Sequence, residues 1–380
     1  MKIINKSMEV SKKKVYVGLS GGVDSSVSAL LLKQQGYDVT GVYIKGWQPD
    51  WIPCTWKDDR ISALRTAAHL DIPFITLDLE QKYKQKVVNY ILEEYAKGNT
   101  PNPDMLCNRE IKFGEFLKWS LEMGAEYVAT GHYSVVQDVQ LIESADKEKD
   151  QSYFLSQLTQ KELKHILFPI GHLQKSEVRK IAEVNNLPVA TRKDSQGICF
   201  VGDLEMKDFL KRELNPQKGK VVNENGEEIG EHDGAILYTI GERHGFKINK
   251  KEGDENIHKY YVVAKDINSN TIVVSSSNIP GTRIHSCPSV LPISDRSTKG
   301  QSSITLRNLS STNNLDDTLK STNLAIRIRY RGIKIPVEVK NYENGYLSLQ
   351  TKNGESVAYA PGQFGVLYEG EKVLGGGELC

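Results

Sequence analysis

"VGLSGGVDSS" (17–26) closes a short apolar run, "KVYVGLS" (14–20), in a turn crowded with glycine and serine. Glycines after a strand let the backbone bend tightly and turn its N–H groups inward. Ser20, Ser25 and Ser26 add hydroxyls, and "DSSVSALLLKQQG" (24–36) then reads as a helix stopped at Gly36. A loop of this kind at a helix N-terminus is a cradle for phosphate. It contains no lysine, so it is not the GxxxxGK[ST] loop of kinases and GTPases. Beyond the turn's helix, "YDVTGVYI" (37–44), "PFITLDL" (73–79) and "AEYVATGHY" (125–133) read as further strands, and 58–70 and 82–97 as helices. Alternation of strand and helix predicts an α/β domain with a parallel sheet covered on both faces. Ligands of such sheets bind beyond the carboxyl ends of the strands. The turns at 20–25, 45–47 and 131–133 all belong to that edge.

From about Gly219 the texture changes to short apolar runs broken by Asn-Gly and Asp-Gly, which are hairpin signals. The division expected is 1–217 as the nucleotide-binding catalytic domain, 218–278 as a small central β domain and 279–380 as a C-terminal β-barrel. The polar stretch 296–322 reads as a long loop. In "LAIRIRYRGIKIPVEV", strand alternation puts Arg327, Arg329 and Arg331 on one face, a possible phosphate track or a solvated barrel exterior. The 380 residues are 39% hydrophobic and 26% charged, enough apolar content for real cores, and the formal net charge of +1 requires any nucleic-acid contact to be local. No apolar run approaches the roughly 18 residues that span a bilayer. The basic start lacks the apolar centre of a signal peptide, so the reading is cytoplasmic, with no membrane. Five widely spaced cysteines argue against a disulfide framework and against a CxxC zinc site, and no metal ligands are assigned.

Two of those cysteines stand in unusual surroundings. In "NTPNPDMLCNREIKF" (99–113), Asn102 can cap a helix and Pro103 suits its first position. Asp104 and Cys107, three apart, then share a helical face near an N-terminus that favours a thiolate. In "ATRKDSQGICFVGD" (190–203), Cys199 follows a polar, basic turn. Taken singly, each is equally a buried, inert cysteine.

The motif SGGVDS after a strand resembles the PP-loop ATP pyrophosphatase superfamily. With "TPNPDMLCNREIKF", "ATGHY", "KDQSYFL", "DSQGICFVG", "IRYRG", "APGQFGVLY" and the closing "LGGG", the chain resembles the bacterial-type tRNA-specific 2-thiouridylase family over nearly its whole length. The resemblance implies ATP-dependent 2-thiolation of the wobble uridine, with ATP and Mg2+ required. The C2 oxygen is adenylated with release of pyrophosphate, then replaced by sulfur. By the same resemblance, Cys199 carries the sulfur as a persulfide. Cys107 is the partner thiol that releases it or pairs with Cys199 in a disulfide, and Asp104 is the acid/base residue. ATP is met by Gly18, Leu19, Ser20, Gly21, Gly22, Val23, Asp24 and Ser25, with Ile44 and Gly131 on the adenosine side. The tRNA is met by Asn102, Pro103, Asp104 and His132 around the everted base, by Lys149, Asp150 and Gln151, and by Arg329, Tyr330 and Gln363. Implied partners are the tRNAs for Glu, Gln and Lys and a persulfide-donating sulfur carrier or cysteine desulfurase. Glu242 stands where relatives usually have Gln, and Cys54 receives no role. An iron–sulfur cluster finds no ligand spacing to support it. The alternative is another PP-loop adenylating ligase, acting on RNA or a small molecule, which would need no thiols.

Overall fold

The computed structural model describes residues 12–52, 56–193, 205–249, 259–276, 302–312, 315–354, 357 and 359–380. The chain divides into two compact units that interleave in sequence. One is built from 1–80, 111–152 and 161–195, the other from 81–110, 153–160 and 196–380.

The first unit carries the expected parallel sheet. Strands β1 (Lys14–Gly18), β2 (Asp38–Lys45), β3 (Phe74–Asp78) and β4 (Tyr127–Ala129) are joined by helices α1 (Val23–Gln34) and α2 (Trp56–His69). A hairpin follows, β5 (Ser134–Gln137) and β6 (Gln140–Glu143), and then the two-residue β7 (Ile166–Leu167). The sheet order is β3-β2-β1-β4-β7, with every pairing parallel. Alternation along β1 places a helix layer on each face. Val15 and Val17 join α1, α2 and helix 175–184 in one core, whereas Tyr16 meets Trp119 of the helix 116–122 at 5.5 Å between ring centroids. The chain leaves β1 toward β2 on one side and returns as β4 on the other. The crevice beyond β1 and β4 is therefore the switch point where ligands of such sheets bind.

In the second unit, the central sheet runs β10-β9-β8-β12-β11, from β8 (Gly219–Val222), β9 (Glu228–His232), β10 (Phe246–Ile248), β11 (Tyr261–Asp266) and β12 (Thr271–Ser275). A six-stranded barrel follows: β13 (Ser303–Ser311), β14 (Leu324–Arg327), β15 (Ile335–Glu343), β16 (Tyr346–Thr351), β17 (Phe364–Glu369) and β18 (Lys372–Leu379). It is closed by the β13–β18 pairing and filled by Ile304, Leu306, Ile326, Val337, Leu349 and Leu367, among others.

Two expectations are corrected here. The polar stretch 296–322 is not one long loop, since 303–311 is barrel strand and Leu315–Lys320 is a short helix. The alternation "SITLRNLSS" buries Ile304 and Leu306 while Ser and Thr face outward, so a polar composition conceals a period of two. Nor do Arg327, Arg329 and Arg331 share a strand face. β14 ends at Arg327, and the chain turns through 329–331, with Arg331 at φ +58°.

Candidate functional site

The phosphate loop is assembled from its own side chains. The Ser25 hydroxyl accepts from the Ser20 amide at 3.2 Å and donates to the Gly22 carbonyl at 3.2 Å. Ser26 donates to the same carbonyl at 2.8 Å. Gly21 adopts φ +81°, and a Cβ there would sit 2.4 Å from the Asp59 carbonyl, so both conformation and space require glycine. Gly22 is the N-cap of α1 and makes no side-chain cap bond, which leaves the first-turn N–H groups of α1 without a side-chain cap there. Gly131 lies against this turn: a Cβ would come within 2.5 Å of the Ser25 nitrogen. Ile44 is buried at the end of β2. The first unit thus brings Gly18–Ser25, Ile44 and Gly131 to one sheet edge.

Three neighbours of the loop were not found from sequence. The Lys175 ammonium meets both oxygens of Asp24, at 2.7 and 2.8 Å. The Tyr133 hydroxyl donates to Asp24 Oδ1 at 2.9 Å. Arg192 donates to the Gly21 carbonyl at 2.8 Å and pairs with Asp59. No local spacing signals these contacts, because Lys175 and Arg192 join the loop across roughly half the chain.

In the second unit, Asn102 caps the turn Pro103–Leu106 as expected, its side chain accepting from the Asp104 and Met105 amides at 3.1 Å each. Asp104 is half-buried and Cys107 fully buried. At Cys107 the helix widens into π-helical turns that run to Glu115, a geometry often found at functional positions. The turn before the cap is tied down on several sides. The Thr100 amide donates to the Pro361 carbonyl at 2.8 Å, its hydroxyl is 3.3 Å from that of Thr239, and the Asn99 amide group donates to Glu94 at 2.6 Å. Cys199 and Cys54 lie outside the described residues.

His132 is buried, with Nδ1 2.7 Å from the Thr130 hydroxyl and Nε2 3.4 Å from the Lys112 ammonium. Burial, and then the Lys112 charge, hold its pKa well below the usual imidazole value. Asp150 is also buried, accepting from the Ser144 amide and the Ser152 hydroxyl at 2.9 Å each. Burial pushes its carboxyl up. Gln151 accepts from the Tyr133 amide at 3.0 Å, and Lys149 is half-buried beside them. In the barrel, Arg329 is exposed and Gln363 half-buried. Tyr330 packs its ring 4.4 Å from Phe154, with the Arg331 guanidinium 5.2 Å from its centroid. Among the described residues there is no cluster of three or more His, Cys, Asp or Glu fit to hold a metal, and no helix is long and apolar enough to cross a membrane.

Glu242 accepts the Thr239 amide at 3.1 Å and pairs with Lys207, so the carboxylate at this position is part of the second unit's own bonding.

Comparison with known proteins finds relatives along nearly the whole chain. Three family profiles match in succession: a tRNA methyl transferase HUP domain over 13–203, a tRNA methyl transferase PRC-barrel domain over 207–276 and an aminomethyltransferase beta-barrel domain over 301–379. The tRNA-specific 2-thiouridylase MnmA of Streptococcus thermophilus is 42% identical over 374 residues, covering 97% of this chain and 95% of that one. That of Nitrosomonas europaea is 41% identical over 379 residues, covering 97% and 99%. A solved U34-tRNA thiolase NcsA from Methanococcus maripaludis is far more distant, at 21% identity and TM-score 0.34 over 53% of this chain and 66% of that one. With matches of this identity along nearly its full length, the chain belongs to the tRNA-specific 2-thiouridylase (MnmA) family.

Proposed function

We propose that this chain 2-thiolates the wobble uridine, position 34, of tRNA, at the expense of ATP. Membership of the 2-thiouridylase family makes it a tRNA sulfurtransferase. What carries the finer reading is one chain that holds both a lysine-free phosphate loop at a switch point and a capped turn carrying the half-buried Asp104 and the buried Cys107. The loop's amides and hydroxyls receive the phosphates of ATP. Magnesium would arrive with those phosphates, and Asp24 is the loop carboxylate available to share it. The uridine O2 attacks the α-phosphorus; the new O–P bond forms as the α–β bond breaks, and pyrophosphate leaves. This converts a poor leaving group into AMP.

The terminal sulfur of a Cys199 persulfide then attacks C2, and AMP departs. The Cys107 thiolate attacks the Cys199 sulfur, breaking the S–S bond to the sulfur now on C2 and closing a Cys107–Cys199 disulfide, which an external thiol must reduce. Asp104 takes or returns the proton at the base. The base must be turned out of its stack to reach these groups. Asn102, Pro103 and His132 would line the base pocket, while Lys149, Asp150, Gln151, Arg329, Tyr330 and Gln363 hold the tRNA. Because Asp150 and His132 are buried, both would act by shaping the surface rather than by offering charge to phosphate. The tRNAs expected are those for Glu, Gln and Lys, and the sulfur comes from a persulfide-donating carrier or desulfurase.

The test supplies tRNA, ATP, magnesium and a persulfide donor, and looks for 2-thiouridine by nucleoside mass spectrometry. Cys199→Ser is expected to abolish product; full activity in that variant would end the relay scheme. Activity of both Cys107→Ala and Cys199→Ala would favour a PP-loop ligase instead.

A further inference from the structure

We propose that Lys175 is the cation of the pyrophosphate subsite, released from Asp24 to the β- and γ-phosphates when ATP binds. The inference deepens the nucleotide reading above and rests on it. A triphosphate brings about four negative charges, and the loop from Gly18 to Ser25 meets them with neutral amides and hydroxyls only. Worse, the loop carries a carboxylate of its own, Asp24, in the first turn of α1. An uncompensated Asp24 would repel the very group that the cradle is shaped to hold.

Lys175 removes that conflict. Its ammonium sits on both Asp24 oxygens, and its side chain is only 15% exposed. The Tyr133 ring lies 5.7 Å from the nitrogen, while the Tyr133 hydroxyl fixes Asp24 Oδ1. The root of the lysine is held as well. Its amide donates to Asp146 Oδ2 at 2.9 Å, and the Gln174 amide donates to Glu177 Oε2 at 2.7 Å at the start of helix 175–184. A fixed root and a flexible four-carbon stem allow the ammonium to move a few ångströms while the helix stays in place. Lysine serves phosphate as a point charge with three donors. Drawn from Asp24 to the entering phosphates, the ammonium would stand beside the leaving group, and the carboxylate it leaves is the one that would hold magnesium there. Arg192, a second cation at the loop, spends its guanidinium on the Gly21 carbonyl and Asp59 and so holds the loop's shape.

A merely structural Lys175–Asp24 pair would affect all nucleotides alike; a pyrophosphate cation would not. The experiment measures binding of ATP, inorganic pyrophosphate and AMP to the full-length protein with magnesium, by calorimetry, for wild type, K175M and K175R. The expectation is at least tenfold weaker ATP and pyrophosphate with K175M, AMP within twofold, and substantial recovery with K175R. Equal weakening of AMP and ATP, or unchanged ATP and pyrophosphate, overturns the proposal. Wild type that binds neither ATP nor pyrophosphate overturns the nucleotide reading itself. Should K175M fail to fold, amine acetylation of wild type read by peptide mass spectrometry decides: pyrophosphate must slow modification of Lys175 and AMP must not, and the absence of pyrophosphate protection overturns the assignment.

Discussion

His132 and Gly131 adjoin in sequence and do different work. At Gly131 a methyl group would press on the backbone at Ser25 and Asp24, neither of which can give way without reshaping the loop. Gly131→Ala is therefore expected to weaken ATP at least tenfold while far-ultraviolet circular dichroism stays unchanged. His132 is held neutral by burial and by Lys112. Its folded pKa is below the ordinary 6.5, so the unfolded chain gains a proton before the folded one does. Stability is thus lost as pH falls from about 6.5 toward the folded pKa, with a slope of up to about 1.4 kcal/mol per pH unit. Urea unfolding at pH 7, 6 and 5 should show a shallower loss in His132→Asn than in wild type. A residual slope remains in that variant, because burial lowers His232 in the same direction.

At the scale of the element, the turn 99–107 was readable because its signals are local. Asn102 and Pro103 announce a helix start whatever the rest of the chain does, and the cap forms as expected. Asn102→Ala should cost about 1 kcal/mol, the usual worth of such a cap, measurable by denaturant titration, with a larger fall in kcat than in stability if the turn presents Asp104. The strand–helix alternation of the first unit was legible for the same reason, each apolar run being bounded by its own glycine or proline. The Arg327–Arg331 stretch was misread because a period of two was extended past the point where the chain turns. A left-handed residue at 331 leaves no mark when the side chain is arginine rather than glycine or asparagine. Lys175 and Arg192 were invisible for a deeper reason: a contact across a sheet edge has no sequence period.

Across the larger unit, a polar network ties barrel to turn. Glu378 and Glu94 are both buried, and Arg307 reaches them at 3.0 and 3.3 Å; the Tyr90 hydroxyl donates to Glu378 at 2.7 Å. Burial alone would raise Glu94, but the hydrogen bonds from Lys97 and Asn99 and the charge of Arg307 outweigh it and hold the carboxyl below its ordinary value of 4.5. That contribution is present above about pH 4.5 and is lost as pH falls through the folded value, so Glu94→Gln should flatten the acid limb of the stability curve. Arg307→Met takes one cation from two buried carboxylates that keep Lys97, Asn99 and Tyr90, and is expected to cost about 3 kcal/mol, the lower end for a broken buried pair because those partners remain and the guanidinium is partly exposed. Arg329→Ala should instead leave stability alone and weaken tRNA binding across sequences, lowering the salt slope by about one.

The same network has a bearing on how the protein is made. Asn99 leans on Glu94, Glu94 on Arg307, and Arg307 on Glu378, while the Gly362 amide donates to the Leu379 carbonyl. Residues synthesised late therefore buttress a loop synthesised well before them. A ribosome that stops short of β18 releases a chain whose nucleotide fold has all its strands but whose thiol-bearing turn lacks its support. Such a fragment would hold ATP without a properly set place for the base, and proteolysis of the tail of the mature protein should uncouple the two in the same way.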